Sequence, residues 1–249
     1  MRKPFCVAAA AIATIVLGLL PVEGGDALEA PVALRPSSGV LFESLLDPSF
    51  TTPGAAVRVP TPSINYDLGC GVIMPFSEGS RFSFEPSADL YFYNAEYTPN
   101  GQAVPTFEEY TSAFVLGLLL DAPVVYSLPV GQKLTFGFGI GICLDARVAF
   151  PVAGAIEADA PQINSYLWGE LRYLTPSTLI RGEYALTDRV AFGFMGRILW
   201  PTFNLWSGNG FGFFDQGIYL VDLTIRYELG KARLSSAVPS GAPPSATAP

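Results

Sequence analysis

Histidine is missing from all 249 residues. That absence rules out the Ser-His-Asp and Cys-His arrangements of hydrolases and acyltransferases, and every His-ligated zinc site. Charge is scarce too. Asp, Glu, Lys and Arg make up 14% of the chain, and the net charge is −8. So acidic a chain lacks the basic footprint that nucleic-acid binding needs. Cysteine occurs three times, at Cys6, Cys70 and Cys143. Beyond the N-terminus no segment is apolar enough for a spanning helix. The longest apolar run, 113–120, falls far short of the ~20 residues required. Yet half of the chain is hydrophobic, with 25 glycines and 13% aromatic residues.

The N-terminus reads as an export signal. Arg2 and Lys3 precede an uncharged apolar run of sixteen residues, Phe5 to Leu20, and small residues follow at Gly25 and Ala27. The pattern predicts a cleaved signal peptide over 1–27, with Ala30 as the alternative cleavage point. An N-terminal anchor helix, the other reading, normally needs about 20 apolar residues. Cys6 stands at the front of the run, so it is no lipidation site.

Residues 133–148, KLTFGFGIGICLDARV, alternate throughout. Leu134, Phe136, Phe138, Ile140, Ile142, Leu144, Ala146 and Val148 share one face. Lys133, Thr135, three glycines, Cys143, Asp145 and Arg147 share the other. Period 2 over sixteen residues means an extended strand; a helix would carry each interior glycine at a cost of about 1 kcal/mol. One apolar face and one polar, glycine-lined face mark a strand of a transmembrane β-barrel.

The same alternation recurs at 66–76, 82–97, 110–126, 189–200 and 216–229, with 110–126 apolar on both faces. Short connections at 77–81, 127–132 and 187–188 are expected in the periplasm, and long ones at 98–108, 150–162 and 201–215 outside the cell. Two strand schemes fit. The preferred one makes 163–186 a single strand with a bulge at Thr175-Pro176-Ser177 and places a first strand within 39–46. The other splits 163–186 into a hairpin and starts at Tyr66. Both give an all-β, eight-stranded antiparallel transmembrane β-barrel. The expected organisation is a signal peptide (1–27), an N-terminal periplasmic segment (28–38), the barrel (39–229) and a disordered Ala/Pro/Ser tail (230–249). Cys70 and Cys143 fall on opposite faces, which predicts two isolated thiols.

An eight-stranded barrel has an interior just wide enough for side chains to fill. The inward carboxylates are Asp67, Glu85, Asp89, Asp145, Glu170, Glu183, Asp222 and Glu228; Lys133, Arg147, Arg172, Arg181, Arg197 and Arg226 face them. Unpaired buried charges cost several kcal/mol each. The expected arrangement is therefore an ion-paired plug rather than a wide pore. Asp67 and Asp89 could serve as acid and base, but nothing in their spacing makes them converge. The glycine runs GFGIG and SGNGFG match neither the dinucleotide fingerprint nor the P-loop. No cofactor and no metal are expected, and the chain reads as a non-enzyme. In the loop PTFNLWSGNGFGFFDQ, six residues cluster where an outer loop belongs: Phe203, Leu205, Trp206, Phe211, Phe213 and Phe214. An interfacial aromatic girdle explains them; an apolar entry site or a partner-contact surface is the functional reading.

The signal peptide, the strand pattern and the last strand, GIYLVDLTIRYEL, resemble the small outer-membrane barrels of the OmpW, OmpX and OmpA-transmembrane type over residues 39–229. The resemblance implies localisation in the bacterial outer membrane, contact with its lipid, and recognition of the last strand by the barrel-assembly machinery. Members of the OmpW group are associated with passage of small hydrophobic molecules, so transport of such a solute is one expectation. The other is a structural or surface barrel that meets a host surface molecule, with no transport. A soluble lipocalin-like barrel is a third reading, and it requires the reverse polarity, with apolar residues inside.

Overall fold

In the computed structural model, residues 31–44, 64–97, 103–106, 113–152, 159–207, 213–214 and 216–231 are described. The expected signal peptide and all of the tail beyond Lys231 lie outside these residues. The strands are β1 (Pro31–Glu43), β2 (Ile64–Pro75), β3 (Phe82–Phe84), β4 (Ser87–Tyr97), β5 (Ala103–Thr106), β6 (Ala113–Asp121), β7 (Val124–Val130), β8 (Leu134–Pro151), β9 (Leu174–Ala185), β10 (Val190–Leu199) and β11 (Ile218–Lys231). Among the described residues one α-helix, α1, spans Asp159–Trp168.

Two courses of the wall are interrupted by proline. β3 and β4 form one course broken at Glu85-Pro86, and β6 and β7 form the next, broken at Ala122-Pro123. Proline has no N–H to give the ladder. Neighbouring groups bridge the gaps, with Glu85 N–H donating to Pro123 O (3.0 Å) and Val72 N–H to Pro86 O (2.9 Å). Counted as courses, eight antiparallel strands form a closed ring: β1 pairs with β2 and β11, and β8 with β9. β5 lies outside the count as a short partner of the end of β4.

The connections at 76–81, 131–133 and 186–189 are short, and all the long ones lie at the opposite end. This asymmetry puts the short-turn end, together with Pro31 and Lys231 (paired to each other), in the periplasm. On the outer face Phe138, Ile140, Ile142, Val221, Leu223 and Ile225 are exposed, whereas their charged neighbours are buried inside. That polarity is opposite to a soluble lipocalin-like barrel.

Two strand expectations are corrected. The first strand runs Pro31–Glu43, not within 39–46. Residues 31–38 therefore stand in the wall rather than in a periplasmic segment. Pro36 gives the segment the look of a loop, and its cost is local: the β1–β11 ladder skips Arg35 and Pro36 while β2 still pairs beside them. Residues 163–186 are neither one strand nor a hairpin. The segment starts inside α1, passes a 3-10 turn at Gly169–Leu171, and becomes a strand only at Leu174. The expected bulge at 175–177 is absent, for β9 pairs with β8 in one register from Leu174 to Tyr184. In α1, Ile163, Tyr166 and Leu167 occupy one buried face at helical spacing. That face covers the outer mouth of the barrel, packing with Tyr91, Tyr93, Val115 and Leu119. The same layer explains why β6 is apolar on both sides: one side meets lipid and the other meets the cap.

Candidate functional site

Among the described residues, the lumen and its outer cap hold most of the buried polar side chains, in three groups. Near the periplasmic end, charges of alternating sign form a chain. Arg35 Nη1 meets Glu85 Oε2 at 2.5 Å, and Arg181 joins Glu85 (2.9 Å) to Glu183 (2.6 Å). Arg226 then joins Glu183 (3.3 Å) to Glu228 (2.8 Å). Higher up, Arg197 bridges the barrel. Its Nη1 reaches Asp89 Oδ2 at 2.5 Å and its Nη2 reaches Asp222 Oδ2 at 3.1 Å. Ser37 and Ser87 donate to Asp89 at 3.3 and 3.2 Å, and Ser177 donates to Asp121 at 2.6 Å. Asp67 is buried in the same lumen. In the third group, Tyr91 Oη donates to Asp145 Oδ1 at 2.6 Å, and Arg147 Nε lies 3.0 Å from Asp145 Oδ2.

The inward glycines make this density possible. A methyl group at Gly69 would land on the Asp89 carboxylate, one at Gly117 on the Tyr91 ring, and one at Gly137 on Arg181. The small residues of the polar face are thus the space into which large partners on neighbouring strands extend.

Above the third group sits the cap. Where β9 begins at Leu174, the upper edge of β8 loses its partner, and side chains of α1 replace it. Asn164 accepts from Ala149 N–H (2.8 Å) and donates to Ala149 O (2.9 Å), while Trp168 Nε1 donates to Arg147 O (2.9 Å). Arg172 pins the following turn. It donates to Tyr166 O (3.2 Å), pairs with Glu170 (2.5 Å), and lies 4.0 Å from the Tyr166 ring and 5.5 Å from Phe203. Burial raises the Tyr166 phenol above its ordinary pKa, and its hydroxyl donates to Gln216 (2.9 Å). Glu170 and Leu171 take positive φ values of 51° and 61°, a strained pair for non-glycine residues. Between cap and lumen remains a cavity of about 10 Å³, lined by Glu43, Asp145, Arg147, Arg172, Thr175 and Gln216. It has room for about one water molecule.

The expected site residues divide among these places. Asp67, Glu85, Asp89, Asp145, Arg147, Arg181, Glu183, Arg197 and Asp222 are buried in the lumen, with Arg226 partly buried at its lower end. Lys133 is exposed in the turn 131–133, its Nζ 5.7 Å from the Tyr184 ring. Glu170 and Arg172 belong to the cap, not to a strand. Of the aromatic loop, Phe203 turns inward, whereas Leu205, Trp206, Phe213 and Phe214 are exposed at the rim; Phe211 lies outside the described residues. Trp206 Nε1 donates to Glu170 O (2.9 Å), and Phe213 and Phe214 stack edge to face at 5.1 Å. Arg35 was not among the expected residues, since it precedes the expected first strand; the alternation of VALR before Pro36 is the signal that would have found it. Asn164 and Trp168 carried no strand-period signal because they act from a helix. Cys70 and Cys143 are both free.

Apolar belt, closed ring and charged lumen together decide the class. The chain folds as an outer-membrane β-barrel. No protein-family model matches it, and no curated protein matches it in sequence. Solved structures of similar shape include Neisserial surface protein A (NspA), at 12% identity and TM-score 0.44 over 83% of this chain and 99% of that one. Another is the outer membrane protein OprG from Pseudomonas aeruginosa, at 11% identity and TM-score 0.43 over 80% and 98%. A third is the outer membrane enzyme PagL, at 12% identity and TM-score 0.37 over 78% and 98%.

Proposed function

We propose that this barrel does not conduct through its lumen and that it acts at its outer rim, presenting exposed apolar side chains to an apolar group at the cell surface. The observation that carries this reading is the packing of the described lumen: three polar groups cross it, and the cavity between them and the apolar cap is about 10 Å³. The rim supports its second half. At this end Leu205 is 70% exposed, Trp206, Phe213, Phe214 and Leu171 are exposed too, and the Phe213 and Phe214 rings are 5.1 Å apart. Isolated exposed apolar residues are ordinary, whereas a cluster marks a contact site. The reading is non-enzymatic, in keeping with the absence of histidine. Passage of small hydrophobic molecules is the second reading, favoured by the position of these side chains at the mouth.

Two measurements on one variant separate the readings. In the full chain, Leu205, Trp206, Phe213 and Phe214 are each changed to Ser. Binding of an environment-sensitive naphthylamine dye to the cell surface should fall, while proteoliposomes with or without the changes accumulate no hydrophobic tracer. Accumulation by the unaltered chain that the variant abolishes would favour passage and sink the rim-contact reading.

A further inference from the structure

A second apolar feature lies on the membrane face, away from rim and lumen. A groove of about 490 Å³ opens between β3, β7, β8 and β9. Phe82, Tyr126, Phe138, Ile140 and Ile180 line it, with the shorter Thr178 among them. The dent has a sequence cause. Thr178 sits in register between Ile140 and Ile198, a short side chain in a row of long ones. Its hydroxyl oxygen accepts from Trp200 Nε1 at 3.1 Å, which places the indole beside the groove. The Phe82 and Tyr126 rings stand 5.1 Å apart along one side.

Hydrocarbon is the medium against this wall, since the groove is continuous with the apolar belt. Its periplasmic foot adds charge. Arg81 is exposed at the start of β3, and its Nη1 donates to Tyr126 Oη at 3.0 Å. Its carbonyl accepts from Ser127 N–H at 2.7 Å, which fixes the residue to β7. Lys133 adds a second cation in the neighbouring turn, and Glu78 and Asp188 are the acids of the short turns. A guanidinium tied to the groove at headgroup depth complements a phosphate.

We propose that this groove binds one acyl chain of an anionic glycerophospholipid from the periplasmic leaflet, with its phosphate on Arg81. Trp200 provides the reporter, through its contact with Thr178. In the full chain carrying Trp168→Phe and Trp206→Phe, Trp200 is the one tryptophan left of three. The protein is reconstituted in phosphatidylcholine vesicles containing a minor fraction of chain-brominated phosphatidylglycerol or chain-brominated phosphatidylcholine. The expected result is quenching by phosphatidylglycerol at about fivefold lower lipid fraction, as one interfacial arginine worth about 1 kcal/mol implies. Arg81→Gln should remove the preference, and Val124→Phe, which fills the groove, should remove the excess quenching. Native mass spectrometry of the chain with all its tryptophans gives the second readout: retained phosphatidylglycerol that each variant lowers by a similar factor. Equal quenching by both lipids, quenching that survives Val124→Phe, preference for brominated lipopolysaccharide, or no quenching at all (a second copy covering the groove) would each overturn the proposal. A heat-dependent gel shift identical to that of the unaltered chain verifies that each variant is folded.

Discussion

Arg197 holds Asp89 and Asp222 from opposite parts of the wall, and its own guanidinium is almost wholly buried. Removing it leaves two carboxylates in the lumen without their cation, a change that costs about 3–5 kcal/mol when a buried pair loses one member. Arg197→Met should therefore lower unfolding stability in detergent by about that amount, read from the midpoint of urea unfolding; Arg197→Lys should recover part of it by restoring a charge without the fork. A loss below about 1 kcal/mol would mean that water reaches the pair. The glycines predict a loss of stability from added rather than removed volume. Gly117→Val would force the added methyls into the Tyr91 ring, and overpacking of this kind costs about 1–3 kcal/mol. At this scale the sequence was readable where period 2 held, so that Asp89, Arg181 and Asp222 could be placed inside before any partner was known. The pairing itself was not readable, because Arg197 and Asp89 are separated by 108 residues and their meeting depends on barrel closure.

Among the elements, α1 and β1 show what a strand-period reading passes over. α1 lies in a segment that was expected to be strand, with Glu170 and Arg172 placed on its inward face. Its helical stripe of Ile163, Tyr166 and Leu167 covers the mouth instead, and Asn164 ties it to the free edge of β8. Each buried hydrogen bond left without its partner costs about 1–3 kcal/mol. Asn164→Ala is thus expected to speed hydrogen exchange at Ala149 and along α1, with the β1–β11 seam unchanged. Uniform acceleration around the ring would mean that the cap and the wall unfold together. β1 was hidden by Pro36, which reads as a breaker although the course continues on the β2 side. The long β8 was legible almost to the residue: 133–148 was expected and Leu134–Pro151 is found. Its interior glycines and outward Phe and Ile suit only an extended strand.

For the molecule as a whole, polarity decides between membrane and water. Exposed Phe, Ile and Leu circle the wall while aspartate, glutamate and arginine fill the centre. A chain so built should keep its compact shape in detergent without boiling and lose it on boiling, a mobility shift that a soluble barrel would not give. Composition, the export-type N-terminus and alternating strands were enough to reach this architecture and its loop-length asymmetry. What the barrel meets at its rim was not legible, since exposed aromatic residues serve equally as girdle and as contact surface.

Sealing of the lumen is the claim on which the functional reading stands, and current across a planar bilayer tests it most directly. The chain, inserted from detergent and verified as folded by its heat-dependent shift, should give no current steps above the protein-free baseline. Steady, reproducible open steps, retained when the cap is locked to β8, would contradict a lumen closed by Arg197 and its partners.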